Sequence, residues 1–542
     1  MALKAWAAFA GVVGLALAIA VLALRPPSPA SANAPAEQFS AARAFADVAA
    51  IAQRPHPIRS PEQARVRDYL FGRMVSLGLA PRLRPAASDQ GGLFNLLGVL
   101  PGADRASPAV LLMAHFDSVP AGPGAADDGA GVAAVLEAAR ALQASGPRGR
   151  DVMVLLTDGE EPGLYGAKAF FSGDPLRGHV GVVINLEARG NRGRAVMFET
   201  HRQGGAMVGF LTRAGALSGA SSLMPDLYRR LPNDTDLTEA LTRGYPGINF
   251  AFFNGFDAYH RPSDTPGNLD PGSLQSIGAQ VLAAARALAT APALPGRAPD
   301  QVYADILGGP ILHYPAAAGW LVLGLAVVLI GMAAWRELAT KQTGIAGIAA
   351  GVGAVLGLVI VLAMALIGDG MLRGRLAGPH LAPFLRHAGE ALTGAALLAA
   401  GLATLWLWSA QKALRPASLS LGGLKVLALF AILLQLAAPL DAFMLAWPLL
   451  LAAAAAAHHA GSARPSPITA PFVLVALAQL FYWAGLFYAL AGQESPAVLA
   501  PFAAVATVLL LPLAPRLGRP GAFGGAALAV LGLALSLVAM RP

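Results

Sequence analysis

From about residue 314 onward the chain is a succession of apolar blocks, and AWAAFAGVVGLALAIAVLAL at 5–24 forms another. About twenty residues without a charge are enough for a helix to cross the hydrocarbon layer of a bilayer. Candidate spans fall at 314–335, 344–367, 389–409, 419–438, 440–458, 468–491, 496–514 and 520–540, after the first at 5–24. Only 13% of the residues are charged and mean hydropathy is +0.56, where a soluble globular chain carries about 25% charged residues. Mixed charges and turn signals are confined to about 40–310. The division this predicts is an N-terminal anchor with a linker at 1–39, a soluble domain at 40–290 and a linker at 291–313. An all-α transmembrane region of about eight helices follows at 314–542. The lipid bilayer is therefore an expected partner.

ASA and ANA follow the first apolar run as possible cleavage sites, but its apolar core is longer than the usual signal h-region, so an uncleaved anchor is expected. Lysines and arginines in short loops set orientation. With Lys4 cytoplasmic, the loops on that side hold Arg336 and Lys341, Lys412 and Arg415, Arg464, then Arg516 and Arg519. The opposite loops carry Asp441 and Glu494 but also Arg373, Arg375 and Arg386, so the bias is real but incomplete. It places the soluble domain outside the cytoplasm. The Ala- and Arg-rich composition suggests GC-rich bacterial coding, which makes the expected location an inner membrane with a periplasmic domain. The net charge of +8 is accounted for by arginines flanking apolar segments. No basic run interleaved with aromatics marks a nucleic-acid surface, and none is expected. With no cysteine in the chain, disulfides and thiolate metal sites are excluded.

In the soluble part, AVLLMAHF (109–116), VMVLLTDG (152–159), GVVINLEA (181–188) and GINFAFFN (247–254) read as buried strands. GAGVAAVLEAARAL (129–142) reads as an amphipathic helix between the first two. Alternation of this kind predicts an α/β domain with a mixed, largely parallel sheet flanked by helices. Such sheets bind ligands beyond the carboxyl ends of their strands. Those ends carry His115 and Asp117; Asp158, Glu160 and Glu161; Glu187; and Tyr259 with His260, while Asp127 and Asp128 lie in a Gly/Ala loop. Any one of these is ordinarily a solvated loop residue. Their recurrence at successive strand ends points instead to a cysteine-free catalytic zinc site. One carboxylate can bridge two ions that clamp a hydrolytic reaction, and an acid outside the metal sphere can take the proton from water. Spacing alone does not say which acid plays which part.

His115-x-Asp117, AADDGAG, the Glu160-Glu161 pair, NLEARG and YHRPSDT, in this order, resemble the co-catalytic zinc aminopeptidases of metallopeptidase family 28. RPHPIRSPEQARVRDYL, LPNDTDLT and DQVYADILG resemble its membrane-bound branch. The resemblance implies two Zn2+ ions per chain and a peptide substrate. It implies that His115, Asp127 and Glu161 hold one ion, and that Asp127, Glu187 and His260 hold the other, with Asp127 bridging. Glu160 would be the general base, and Asp117 would accept a hydrogen bond from the His115 imidazole and fix its tautomer. Asp128 is expected to cap the following helix. Asp234 and Asp236 could line the substrate cleft or form Asx turns. Arg189 could bind a substrate carbonyl or make a structural ion pair. Tyr259 could bond a tetrahedral intermediate, or pack beside His260. His56 reads as structural.

The function this predicts is a membrane-anchored zinc aminopeptidase acting outside the cytoplasm. The alternatives are a single-zinc acyl-transfer enzyme resembling glutaminyl cyclase, an inactive receptor or scaffold on the same fold, and a transporter with an attached hydrolase.

Overall fold

The computed structural model describes residues 2–86, 92–377, 388–461, 468–492 and 496–539. The chain splits into two compact units, one spanning Arg25–Tyr314, the other made of Met1–Leu24 with Pro315–Pro542. Helix α1 (Ala2–Leu24) belongs to the second. The first contains helices α2 (Ala41–Ile51), α3 (Pro61–Ser76), α4 (Gly129–Ala144), α5 (Tyr165–Gly173), α6 (Gly205–Arg213), α7 (Leu223–Tyr228), α8 (Asp236–Thr242) and α9 (Pro271–Thr290).

Seven strands of that unit make one mixed sheet: β1 (Arg82–Ala86), β2 (Leu93–Leu100), β3 (Ala109–His115), β4 (Val152–Thr157), β5 (Val180–Ala188), β6 (Val196–Thr200) and β7 (Gly247–Phe252). They lie in the order β1-β2-β4-β3-β5-β7-β6. The central four run parallel, and the outer strands are antiparallel to their neighbours. Side-chain alternation explains the unbroken apolar runs. Ala109, Leu111 and Met113 of β3 pack on one face with Phe170, Phe171, Leu237 and Ala240 from α5 and α8. Val110, Leu112 and Ala114 enter the larger core with α2, α3, α4 and α9 on the other. A strand covered on both faces, as β3 is, favours an apolar residue at nearly every position.

Two segments read as linkers are folded parts of this unit. At the start, Phe39 is buried against α9. The Arg43 guanidinium donates to the carbonyls of Ala32 and Ala34 at 2.8 Å each, and Gln275 Oε1 accepts the Ala30 amide at 2.9 Å. At the far end, β8 (Gln301–Asp305) and β9 (Ile311–Pro315) pair as a ribbon, and Asp300 accepts the Gly204 amide at 2.8 Å. Their Pro- and Ala-rich composition resembles a linker because the partners that satisfy their backbone lie far away in sequence.

In the helical unit, seven helices among the described residues are long and apolar enough to cross a membrane. They are Trp6–Leu24, Ala316–Ala339, Ile345–Leu372, Gly389–Ala413, Pro416–Ala437, Thr469–Leu490 and Arg519–Val538. The spans expected at 440–458 and 496–514 fall on two shorter apolar helices, Phe443–His459 and Ala497–Leu513, the first with Pro448 inside it. Arg373 and Arg375, expected in a loop, lie within the helix Ile345–Ala377. The orientation charges Arg386, Arg464 and Glu494 lie outside the described residues. Helices Ala388–Ala413 and Arg519–Val538 approach closely: a Cβ on Gly401 would sit 2.4 Å from the Ala529 nitrogen. Small residues permit this kind of packing between apolar helices.

Candidate metal centre

Because β4, β3, β5 and β7 are parallel neighbours, their carboxyl ends open on one edge of the sheet. His115 is the last residue of β3, and Glu187 is the last but one of β5. Glu160 and Glu161 follow β4, while Asp127 and His260 arrive on loops. His115 Nε2 lies 3.3 Å from Asp127 Oδ1 and 3.8 Å from Glu187 Oε2. His260 Nε2 lies 3.2 Å from Asp127 Oδ2 and 3.0 Å from Glu161 Oε2. The donor atoms thus form two groups, His115–Asp127–Glu187 and Asp127–Glu161–His260, each within 4.8 Å. Asp127 gives one oxygen to each.

All five expected ligands meet, but the division between the groups is exchanged. Glu187 stands with His115, and Glu161 with His260. Strand register is the reason. Met113 faces Asn185 across β3 and β5, so two residues further on His115 and Glu187 come side by side on the same face. Glu161 lies beyond the end of β4, in a turn that carries it outward to His260.

The scaffold around these ligands is specific. Asp264 accepts the amides of Ala126 and Asp127 at 2.8 and 3.2 Å, fixing the loop that carries the shared acid. Asp128 caps α4, accepting the Gly131 amide at 3.1 Å; a Cβ on Gly131 would come 2.3 Å from that carboxylate. Asp117 differs in detail from expectation. The His115 Nδ1 contact, at 3.1 Å, is to the Asp117 backbone carbonyl, and its carboxylate is 3.6 Å away, too long for a hydrogen bond. The carbonyl therefore fixes the tautomer and leaves Nε2 facing Asp127 and Glu187. The Asp117 carboxylate instead accepts the amides of Glu160 and Glu161 at 3.0 and 3.3 Å, tying the acid pair to the end of β3.

His260 has a left-handed backbone, φ 56°, a conformation that costs a non-glycine residue roughly 1–2 kcal/mol. Tyr259 stacks on its ring at 3.8 Å between centroids, Phe256 stacks on Tyr259, and the Arg189 guanidinium lies 5.0 Å from the Phe256 centroid. Arg189 and Tyr259 are thus parts of one stack behind His260, which matches the packing alternative for Tyr259. Asp236 is buried and bonds the Thr157 hydroxyl, so it is neither an Asx turn nor an open cleft wall. Asp234 is exposed just before Thr235, the cap of α8, and lies outside both groups. His56 is structural: its amide donates to Ser118 Oγ at 2.9 Å and its Nδ1 meets the Arg54 carbonyl.

Electrostatics show an excess of acid. Burial pulls the His115 imidazole down, yet the Asp117 and Asp127 carboxylates and the Glu160 charge outweigh it and hold it well above its usual range. His260 rises to about 10, against burial, through Asp127 and Glu161. Burial first, then neighbouring acids, raise Glu160 and Glu187 well above the carboxylate range and raise Glu161. Asp127 is pulled down by the two imidazoles in spite of its burial. Glu161 Oε1 and His260 Nε2 are buried without a hydrogen-bond partner, although buried polar atoms are ordinarily satisfied. Converging lone pairs without enough protons to share suit cations, and this nitrogen and oxygen donor set fits zinc.

Sequence reasoning missed Asp264, although it sits inside YHRPSDT, because a carboxylate that binds only backbone leaves no periodic signal. It also missed Asn185, whose Nδ2 donates to Glu187 Oε1 at 3.0 Å, and the buried Glu199 beyond it.

Residues 95–285 match the sequence model of Peptidase family M28. Endoplasmic reticulum metallopeptidase 1 of Mus musculus is 30% identical over 252 residues, covering 45% of this chain and 28% of that protein. Vacuolar membrane protease of Schizosaccharomyces pombe is 31% identical over 256 residues, covering 43% and 30%. The chain thus matches less than a third of the length of these relatives. Among solved structures, the aminopeptidase from Aneurinibacillus sp. strain AM-1 aligns at 15% identity and TM-score 0.39, over 49% of this chain and 97% of that one. Glutaminyl cyclase from Porphyromonas gingivalis aligns at 19% identity and TM-score 0.37, over 45% and 97%. With the motifs gathered at one sheet edge, the segment from β2 into α9 is similar to peptidase family M28.

Proposed function

We propose that the protein is a membrane-anchored zinc aminopeptidase that removes N-terminal residues from peptides outside the cytoplasm. The observation that carries this reading is the pair of three-residue groups sharing Asp127. Two zinc ions held there would supply Lewis acidity and an activated water.

The chain's own residues would do the rest. Glu160 belongs to neither ligand group, and its amide is anchored by the Asp117 carboxylate. Burial and the nearby acids strengthen its hold on a proton, so it would take one from the attacking water and deliver it to the leaving amine. His260 forms the open rim: its side chain is 37% exposed, while His115 is 1% exposed.

The topology has its own support. Arg415 donates to the Lys341 carbonyl at 2.8 Å and Gln411 to the Pro515 carbonyl at 3.1 Å. The basic loops near 341, 415 and 516 therefore share one end of the helical unit, which by the positive-inside tendency is its cytoplasmic end. We place the protein in a bacterial inner membrane with the catalytic unit in the periplasm.

The test is metal analysis of the purified chain with a panel of peptides whose N-termini are free or acetylated. The expected result is two zinc ions and cleavage of free N-termini only; one ion with cyclisation of N-terminal glutamine would favour the acyl-transfer alternative. Glu160→Gln should lower kcat by about 10²–10⁴ with zinc content unchanged. Near-normal turnover in that variant would overturn the mechanism.

A further inference from the structure

A row of buried polar side chains crosses the sheet behind the metal centre and is not used by the chemistry above. Asn185 of β5 is in register with Asn249 of β7, and Asn249 with Glu199 of β6. Glu199 is 6% exposed, and both asparagines are 0% exposed. Glu187, two residues after Asn185, points to the same face of β5.

The hydrogen bonds run in one direction. Asn249 Nδ2 donates to Glu199 Oε2 at 3.1 Å and to Thr235 Oγ1 at 3.0 Å. Its Oδ1 is left to accept from Asn185 Nδ2 at 3.3 Å. Asn185 Nδ2 donates in turn to Glu187 Oε1 at 3.0 Å. Amide orientation is set by what stands at the ends of such a network. The accepting Glu199 oxygen turns the Asn249 amide nitrogen toward itself, which turns the Asn185 nitrogen toward Glu187. The arrangement leaves Asn185 Oδ1 buried without a partner, so it is not the one that best satisfies Asn185 taken alone. Reversing either amide would bring two acceptors face to face.

We propose that Glu199 is a positioning residue: through Asn249 and Asn185 it holds Glu187 Oε1 against the sheet, so that Glu187 offers only Oε2 to the ion shared with His115 and Asp127. Glutamate at this position has one more rotatable bond than aspartate would have, and the row removes that freedom. The second ion, on the Asp127–Glu161–His260 side, has no part in the row.

This rests on the two-ion reading, and the experiment separates the two. Stepwise zinc binding to the full chain in detergent is measured by competition with a chelator, beside cobalt(II) absorption spectra, for wild type, Glu199→Leu, Glu199→Gln and Asn249→Ala. A wild type that binds fewer than two ions would count against the proposed function itself. With two ions bound by wild type, Glu199→Leu should weaken one ion by about 10-fold or more and leave the other unchanged. Glu199→Gln, whose carbonyl can accept the same bond, should bind both as wild type does. Asn249→Ala breaks the row at its centre and should behave as Glu199→Leu, so the test survives if the leucine variant fails to fold. Wild-type affinity for both ions in a folded Glu199→Leu or Asn249→Ala protein would overturn the proposal. So would equal weakening of both ions, or a glutamine variant as impaired as the leucine one.

Discussion

Asp127 is 5% exposed, and each of its carboxylate oxygens faces a different imidazole. Any other ligand can be lost from one group alone, whereas Asp127→Ala removes a donor from both. Zinc content should then fall from two ions per chain to below one, as read by metal analysis after gel filtration. Glu199 gives a second test at this scale. Burial, against the hydrogen bonds from Asn249 and Thr235, pushes its carboxyl from 4.5 to about 7. The folded state thus keeps a proton that the unfolded chain has already lost. Stability from this group is full below about pH 4.5 and is lost as pH rises through about 7, up to roughly 3 kcal/mol at ~1.36 kcal/mol per unit. Glu199→Gln cannot lose a proton, so the variant should gain stability on wild type between about pH 5 and about pH 8, measured as urea midpoints in chelator. The five candidate ligands were named from the resemblance of their motifs, since spacing alone left the acids undivided. Their pairing was not legible, since sequence order places Glu161 nearer to His115 than Glu187, while strand order puts β5 directly beside β3.

At the scale of elements, the doubly covered strands were the clearest signal, because burial on both faces leaves mostly apolar runs, and three of them lead into acids. Helix α9 shows the same logic at a boundary. Asp270 accepts the Ser273 amide and hydroxyl at 2.8 and 3.2 Å, and Pro271 opens the first turn. Asp270→Ala should cost about 1 kcal/mol, seen as a lowered thermal midpoint with zinc content unchanged. The ribbon β8–β9 was not legible. Its strands are short and pair mainly with each other, and Asp300 and Ala298 dock it on the Gln203–Gly204 turn, about a hundred residues away in sequence. Nothing local announces such a contact.

At the scale of the whole molecule, the apolar blocks foretold a helical unit, and the motifs foretold a hydrolase-like unit, but the border between them lies further out than composition suggests. Residues 25–39 and 291–314 belong to the unit that holds the candidate metal centre. A fragment cut at 25 and 314 should therefore stay monomeric without detergent. One cut at 40 and 290 strips Arg43 of its carbonyl partners, uncovers the α9 surface beneath Phe39 and deletes the ribbon, so it should aggregate or melt at lower temperature. Gel filtration and thermal scans of the two fragments compare them directly; equal behaviour would show that the flanking segments are dispensable.

Of the five candidate ligands, His260 is the most exposed, with its ring propped from behind by Tyr259. That imidazole is the most accessible side chain of the five. The cation it helps to grip is the one that dilution or a mild scavenger would reach first, and the inner one would stay on as a resident. A preparation that emerges from purification half filled would then be uniform rather than a random mixture, with its remaining ion lodged between His115 and Glu187.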